Sequence, residues 1–185
     1  MAKRFSWNSD MVVSICAMVI SLFTLVVFVY QTNLMRKQQY LSVMPYLSIV
    51  NSGTGTANFA VLLTNDGLGP AFVESNNIIY KDKTYEMDLP DFLNKHVPDL
   101  DTVQFFYSNI YPGRMIPPGE TIKIIEFRGN QEDVSVFYQV MDTLGAQLDF
   151  ELIYRSIYEE RWSLGTESNI PTKLNSKNGS LLNER

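Results

Sequence analysis

Four features of this 185-residue chain carry residue types that do chemistry in other proteins. Gly67 and Gly69, in Asn65-Asp66-Gly67-Leu68-Gly69-Pro70, have the spacing of a phosphate-cradling loop. A dinucleotide fingerprint needs a third glycine and a helix opening at that point. Pro70 and Ala71 lead instead into a strand-like run, so a turn with glycine at positive φ fits better. Asp82, Glu86, Asp88, Asp91, Asp99 and Asp101 form an acidic stretch in which two carboxylates could hold a hard cation through oxygen. The spacing is not that of an EF-hand, and a solvated acidic surface fits better. His96, the single histidine, sits in an irregular segment between Lys95 and Val97. It has the chemistry of a pH sensor or a general base, but no partner motif accompanies it, and an exposed surface position is expected. Cys16 lies inside an apolar run, where its thiol is expected to stay protonated and inert. No catalytic residue, metal ligand set or cofactor site is therefore assigned. A hydrolase would need a nucleophile–base pair, and none is visible.

The aromatic run is more informative. In Phe105-Phe106-Tyr107, strand alternation puts Phe105 and Tyr107 on one face and Phe106 on the other. One face must enter the core. The other exposes a ring unless the segment after Pro90 or a helix after Asn130 covers it. Left uncovered, Phe106, Tyr107 and Tyr111, with Arg114 nearby, are the candidate ligand- or partner-binding residues.

Composition removes several function classes. A net charge of −5 argues against a nucleic-acid grip that relies on a broad basic face. One cysteine cannot make an intrachain disulfide, and one histidine excludes multi-histidine zinc sites.

The elements that must position these residues fall into five stretches: an N-terminal flank (1–10), an apolar run (11–30), a polar stalk (31–42), a β-rich domain (43–165) and a disordered tail (166–185). Residues 11–30 read MVVSICAMVISLFTLVVFVY, with no charge between Asp10 and Arg36. Twenty residues at about 1.5 Å each span about 30 Å, the thickness of a hydrocarbon core. Only a helix satisfies the backbone of a lone segment in lipid. Trp7 and Tyr30 flank the run as interfacial aromatics, and Arg36 and Lys37 follow as anchors. A cleaved signal peptide would have a shorter apolar core and a small-residue cleavage site, and Cys16, preceded by Ile15, does not suit lipidation. Ser14, Ser21 and Thr24 can bond back to the helix backbone. Ala17 and Ser21 make one small-xxx-small pair, a spacing that chance supplies. Lys3 and Arg4 on one side balance Arg36 and Lys37 on the other, so charge does not set the orientation.

Residues 31–39 contain no Gly or Pro and should carry the helix onward until Pro45 stops it. Beyond it the pattern is short and alternating. Strands are expected around Phe59-Val61-Leu63, over 71–80, over 84–89 as the return of a hairpin, over 103–111, over 120–127, over 148–155 and around Trp162-Leu164. Residues 90–100, with two prolines and no clean period, read as a loop with one helical turn. After Asn130, the spacing of Val134, Phe137, Tyr138 and Met141 is that of a helix face, capped by Asn130 and ended by Gly145. The expected fold class is mainly β: an N-terminal transmembrane helix, then an antiparallel β-sandwich with one crossover helix.

The layout resembles a group of uncharacterised bacterial single-pass membrane proteins with an immunoglobulin-like domain. The resemblance rests on Leu41-Ser42-Val43-Met44-Pro45-Tyr46-Leu47, Asn65-Asp66-Gly67-Leu68-Gly69-Pro70-Ala71, Ile116-Pro117-Pro118-Gly119-Glu120 and Leu152-Ile153-Tyr154-Arg155-Ser156, and spans about residues 11–164. It implies an immunoglobulin-like fold, a place in the bacterial inner (cytoplasmic) membrane and a cytoplasmic C-terminal domain. It implies no activity. The function expected is a membrane-anchored, non-enzymatic interaction module whose partners are the lipid bilayer and a protein or a second copy, not nucleic acid. The alternative is a ligand-sensing effector, for example in stress response or phage defence, with its pocket at 65–71 or 90–100.

Overall fold

The computed structural model describes residues 8–145, 147–165 and 168–174, the first two of the last segment by backbone alone. The chain divides into two compact units, Met1–Leu41 and Ser42–Arg185.

The first unit is dominated by one helix, α1 (Ser9–Ser42), which runs on through the polar stalk. Its hydroxyls are satisfied within the helix: Ser14 donates to Asp10 O, Ser21 to Ala17 O, Thr24 to Ile20 O and Thr32 to Phe28 O, at 2.7–2.9 Å. It is long and apolar enough to cross a membrane, and none of its residues is buried. A fully buried Val, Leu, Ile or Phe contributes about 1.5–3 kcal/mol, so a water-exposed run of this kind forgoes on the order of tens of kcal/mol.

The second unit holds ten strands among the described residues: β1 (Leu47–Ser52), β2 (Ala60–Asn65), β3 (Ala71–Tyr80), β4 (Lys83–Tyr85), β5 (Phe106–Tyr107), β6 (Met115–Ile116), β7 (Thr121–Glu126), β8 (Leu148–Arg155), β9 (Arg161–Gly165) and β10 (Ser168–Leu174). They form two antiparallel sheets, one ordered β1-β2-β7-β5 and the other β10-β9-β8-β3-β4, with β6 also on β3. Between strands stand α2 (Leu89–His96), a 3₁₀ turn (Pro98–Leu100) and α3 (Gln131–Gly145), which links β7 of one sheet to β8 of the other. With 33% strand and 37% helix the class is mixed rather than mainly β.

Both sheets feed one core. Leu47, Leu63, Ile122 and Ile125 enter it from the first sheet, and Val73, Ile78, Leu152, Tyr154 and Leu164 from the second. On β8 the expected alternation holds where it matters, with Leu152 and Tyr154 inside. The Tyr154 hydroxyl accepts a hydrogen bond from Leu47 N–H at 3.3 Å and so ties the sheets together. Burial pushes its pKa up to about 12. Asn130 caps α3 as anticipated, its Oδ1 accepting from Glu132 and Asp133 N–H. Phe137 then packs on Phe59 and Phe127, with ring centroids 5.9 and 5.2 Å away.

Several expectations are corrected. The return strand of the β3–β4 hairpin ends at Tyr85, not near Leu89. Its turn is Lys81-Asp82, both at positive φ (50° and 60°), the geometry of a type I′ hairpin without glycine. Residues 90–100 are helical well beyond the one turn expected: α2 covers them as far as His96 and the 3₁₀ turn spans Pro98–Leu100. Asp88 is the N-cap and Pro90 sits in the first turn, where a missing N–H costs nothing. The long strand expected over 103–111 shrinks to Phe106–Tyr107. The reason is Asp88 again, because its Oδ2 accepts from Ile110 N–H and Asn109 Nδ2, both at 2.9 Å, and draws the chain off the sheet. Part of the expected tail, Ser168–Leu174, is a strand on β9 and also runs close to β1. The rest of 166–185 lies outside the described residues.

Candidate interaction surface

β5 is an edge strand of the first sheet, paired among the described residues only with β7, at Phe106↔Glu126 and Tyr107↔Ile125. Val103 and Ile110, both buried, pin the chain on either side of it. Phe105 turns inward onto Phe127 (5.9 Å) and touches Tyr107 (6.0 Å), which confirms that these two share a face. Phe106 points the other way. Neither α2 nor α3 covers the pair, against the competing expectation: Phe106 is 55% and Tyr107 47% exposed.

Charged side chains from β7 and its flanks surround the aromatics. The Arg128 guanidinium lies over the Phe106 ring, 4.1 Å from its centroid, and donates to Glu126 Oε2 at 2.7 and 3.0 Å. Lys123 pairs with the other Glu126 oxygen. Hydrogen bonds from Lys123 and then Arg128 hold the Glu126 carboxyl below the usual carboxylate range. Arg114 donates to Asn109 O at 2.6 Å and reaches Glu120 at 3.4 Å. Phe106, Tyr107, Arg114, Lys123, Glu126 and Arg128 together line an open groove of about 500 Å³.

Of the four residues singled out from sequence, Phe106, Tyr107 and Arg114 come together here. Tyr111 is exposed but lies outside the groove. Lys123, Glu126 and Arg128 were missed. The readable signal was Ile124-Ile125: two adjacent buried residues break the strand period and mark the bulge between the Ile125 and Lys123 pairings with β2. Among the anchor candidates, Tyr30, Arg36 and Lys37 are exposed on α1, and Trp7 lies outside the described residues.

The other candidate centres resolve differently. Gly67 and Gly69 are not at positive φ. Their reason is close approach: a Cβ at Gly67 would collide with Met44 O and the Tyr46 backbone, and one at Gly69 with Val43 O. The turn over 65–71 is thus packed against the chain's own residues 43–46. Asn65, fully buried, organises it. Its Oδ1 accepts from Tyr46 and Gly67 N–H (3.2 and 3.1 Å), and its Nδ2 donates to Gly69 O and Ile116 O (2.9 and 3.0 Å). Sequence reading counted Asn65 only as a turn former.

His96 is not the exposed residue expected. Its ring stacks on Phe92 at 5.0 Å and touches Tyr85 at 4.8 Å, with a buried Nδ1 that finds no hydrogen-bond partner among the described residues. Of the acidic stretch, Asp88 serves as a helix cap and loop clamp. No group of three or more His, Cys, Asp or Glu among the described residues is arranged to hold a metal ion. An apolar cavity between the sheets, lined by Ile49, Val61, Leu63, Ile78, Phe150 and Leu152 among others, measures about 60 Å³. Small-molecule sites run to about 300–1,000 Å³, so it is a packing gap on that scale.

Compared with known proteins, the chain matches no family, no curated protein and no solved structure at a significant level.

Proposed function

We propose that this chain is a membrane-anchored, non-enzymatic interaction module. α1 spans the lipid bilayer once, and the two-sheet domain, an immunoglobulin-like β-sandwich with α3 as its crossover, offers the groove at Phe106, Tyr107 and Arg114 to a protein partner or a second copy. The membrane is the bacterial cytoplasmic membrane and the domain lies on its cytoplasmic side, a placement that follows the sequence resemblance. Support for the anchor is physical: an apolar helix that buries none of its residues in the protein needs a non-aqueous surrounding to satisfy it. The observation that carries the binding role is the uncovered pair Phe106 and Tyr107 beside a groove rimmed with charge. Exposed aromatics set among arginines are the composition that interfaces favour.

The test is co-purification of the full chain from detergent-solubilised membranes, alongside a Phe106→Ser/Tyr107→Ser variant. A stoichiometric partner, or a dimer by light scattering, that the variant loses supports the reading. A lone monomer in both preparations overturns it.

A further inference from the structure

β3 and β7 are each covered only in part along one edge, and the molecule treats the two edges differently. β3 pairs with β8 along most of its length. On its other side β6 covers only Ala71 and Phe72, and β4 covers 78–80. The gap between them is closed by the chain itself. Val73 N–H donates to Arg114 O at 2.9 Å, Gly113 N–H donates to Val73 O at 2.8 Å, and Asn76 Nδ2 donates to Ile110 O at 3.1 Å. β7 likewise pairs with β2 from 121 to 126. On its other side β5 reaches only Ile125 and Glu126, with Ser108 N–H extending the contact to Ile124 O at 3.4 Å. No described strand lies opposite Thr121, Ile122 or Lys123. That stretch borders the open groove of about 500 Å³.

From this we infer that the groove is a strand-addition site, in which an extended segment of a protein partner pairs with the backbone of 121–123 and continues the line of β5. The inference deepens the interaction reading above and rests on it. An uncapped strand edge is a template for main-chain pairing, and alternating side chains then supply specificity. Here the faces differ. Ile122 is buried, whereas Thr121 and Lys123 are exposed. A guest strand is thus asked for apolar residues at alternate positions and polar ones between them. The polar positions meet Arg114, Lys123 and Arg128, three cations against the two carboxylates Glu120 and Glu126, so the guest is favoured when it carries a carboxylate. Phe106 and Tyr107 flank the entry and give its apolar residues a contact.

Panning a random 12-residue peptide library against the full chain in detergent micelles tests this. Selected peptides should alternate apolar and polar residues and include Asp or Glu. Bound to the chain, they should slow amide hydrogen exchange over 121–123 at least tenfold. Lys123→Glu, at a side chain 54% exposed, should weaken binding about tenfold while leaving the circular dichroism spectrum unchanged. If selected peptides leave exchange at 121–123 unaltered but lose binding in the Phe106→Ser/Tyr107→Ser variant, strand addition is wrong while the interaction surface stands. If no peptide is retained, strand addition is overturned as well.

Discussion

Asn65 shows how much one buried side chain can organise. Both its acceptor and its donor capacity are used, and four backbone groups depend on it. Asn65→Ala would leave those groups without their partner in a buried turn, and each unsatisfied group costs about 1–3 kcal/mol before relaxation. We expect a loss of about 2–4 kcal/mol in urea unfolding of the full chain in micelles, with an unchanged m-value. Tyr154 makes a pH prediction. Its folded pKa is raised to about 12 from 10. The folded state therefore keeps a proton that the unfolded chain releases, and stability present below pH 10 falls as pH rises toward 12. Two units correspond to about 2–3 kcal/mol. Tyr154→Phe should lower stability at pH 7, because Leu47 N–H loses its acceptor, and should flatten the alkaline decline between pH 10 and 12. A wild-type decline matched by the variant would show that another group titrates.

At the scale of elements, Asp88 decides where two of them end. As the N-cap of α2 it turns a hairpin return into a helix, and as acceptor for Asn109 and Ile110 it ends β5 after two residues. Asp88→Ala removes the cap and leaves Ile110 N–H, in a buried setting, without its acceptor. The expected cost is about 2–4 kcal/mol. Amide exchange should accelerate in both α2 and 108–111, two regions distant in sequence. Acceleration in α2 alone would show that the clamp on Ile110 contributes nothing. Much of this level was readable beforehand. The period of β8, the face of α3 with its Asn130 cap, and the glycine turn before β7 all follow from local residue types. The full length of α2 is not legible because 90–100 has no clean period, although Asp88, two positions before Pro90, marks a helix start.

For the whole molecule, the apolar surface of α1 sets the behaviour. Left in water it would drive aggregation. After cell lysis the full chain should sediment with membranes, stay there through alkaline carbonate and high-salt washes, and enter solution only with detergent. Recovery in the aqueous fraction without detergent would sink the anchor. The candidate surface was partly legible at this scale too. Phe106, Tyr107 and Arg114 were visible as an aromatic run with a nearby cation. Whether a helix would cover them was not, because coverage depends on where α2 and α3 pack.

Sequence alone determined what depends on near neighbours: the length and polarity of α1, the strand and helix periods, and the positions of most turns. Those signals are local because they arise from backbone geometry and from the side chains a few residues away. Tertiary structure decided what depends on distant partners. It set the role of Gly67 and Gly69 against residues 43–46, the half-burial of His96 against Phe92 and Tyr85, the capture of Ile110 by Asp88, and the pairing of Ser168–Leu174 with β9. Among the described residues it also left the outer edge of 121–123 without a strand. A strand's edge is satisfied or open only once the whole sheet order exists, and no local pattern records that order.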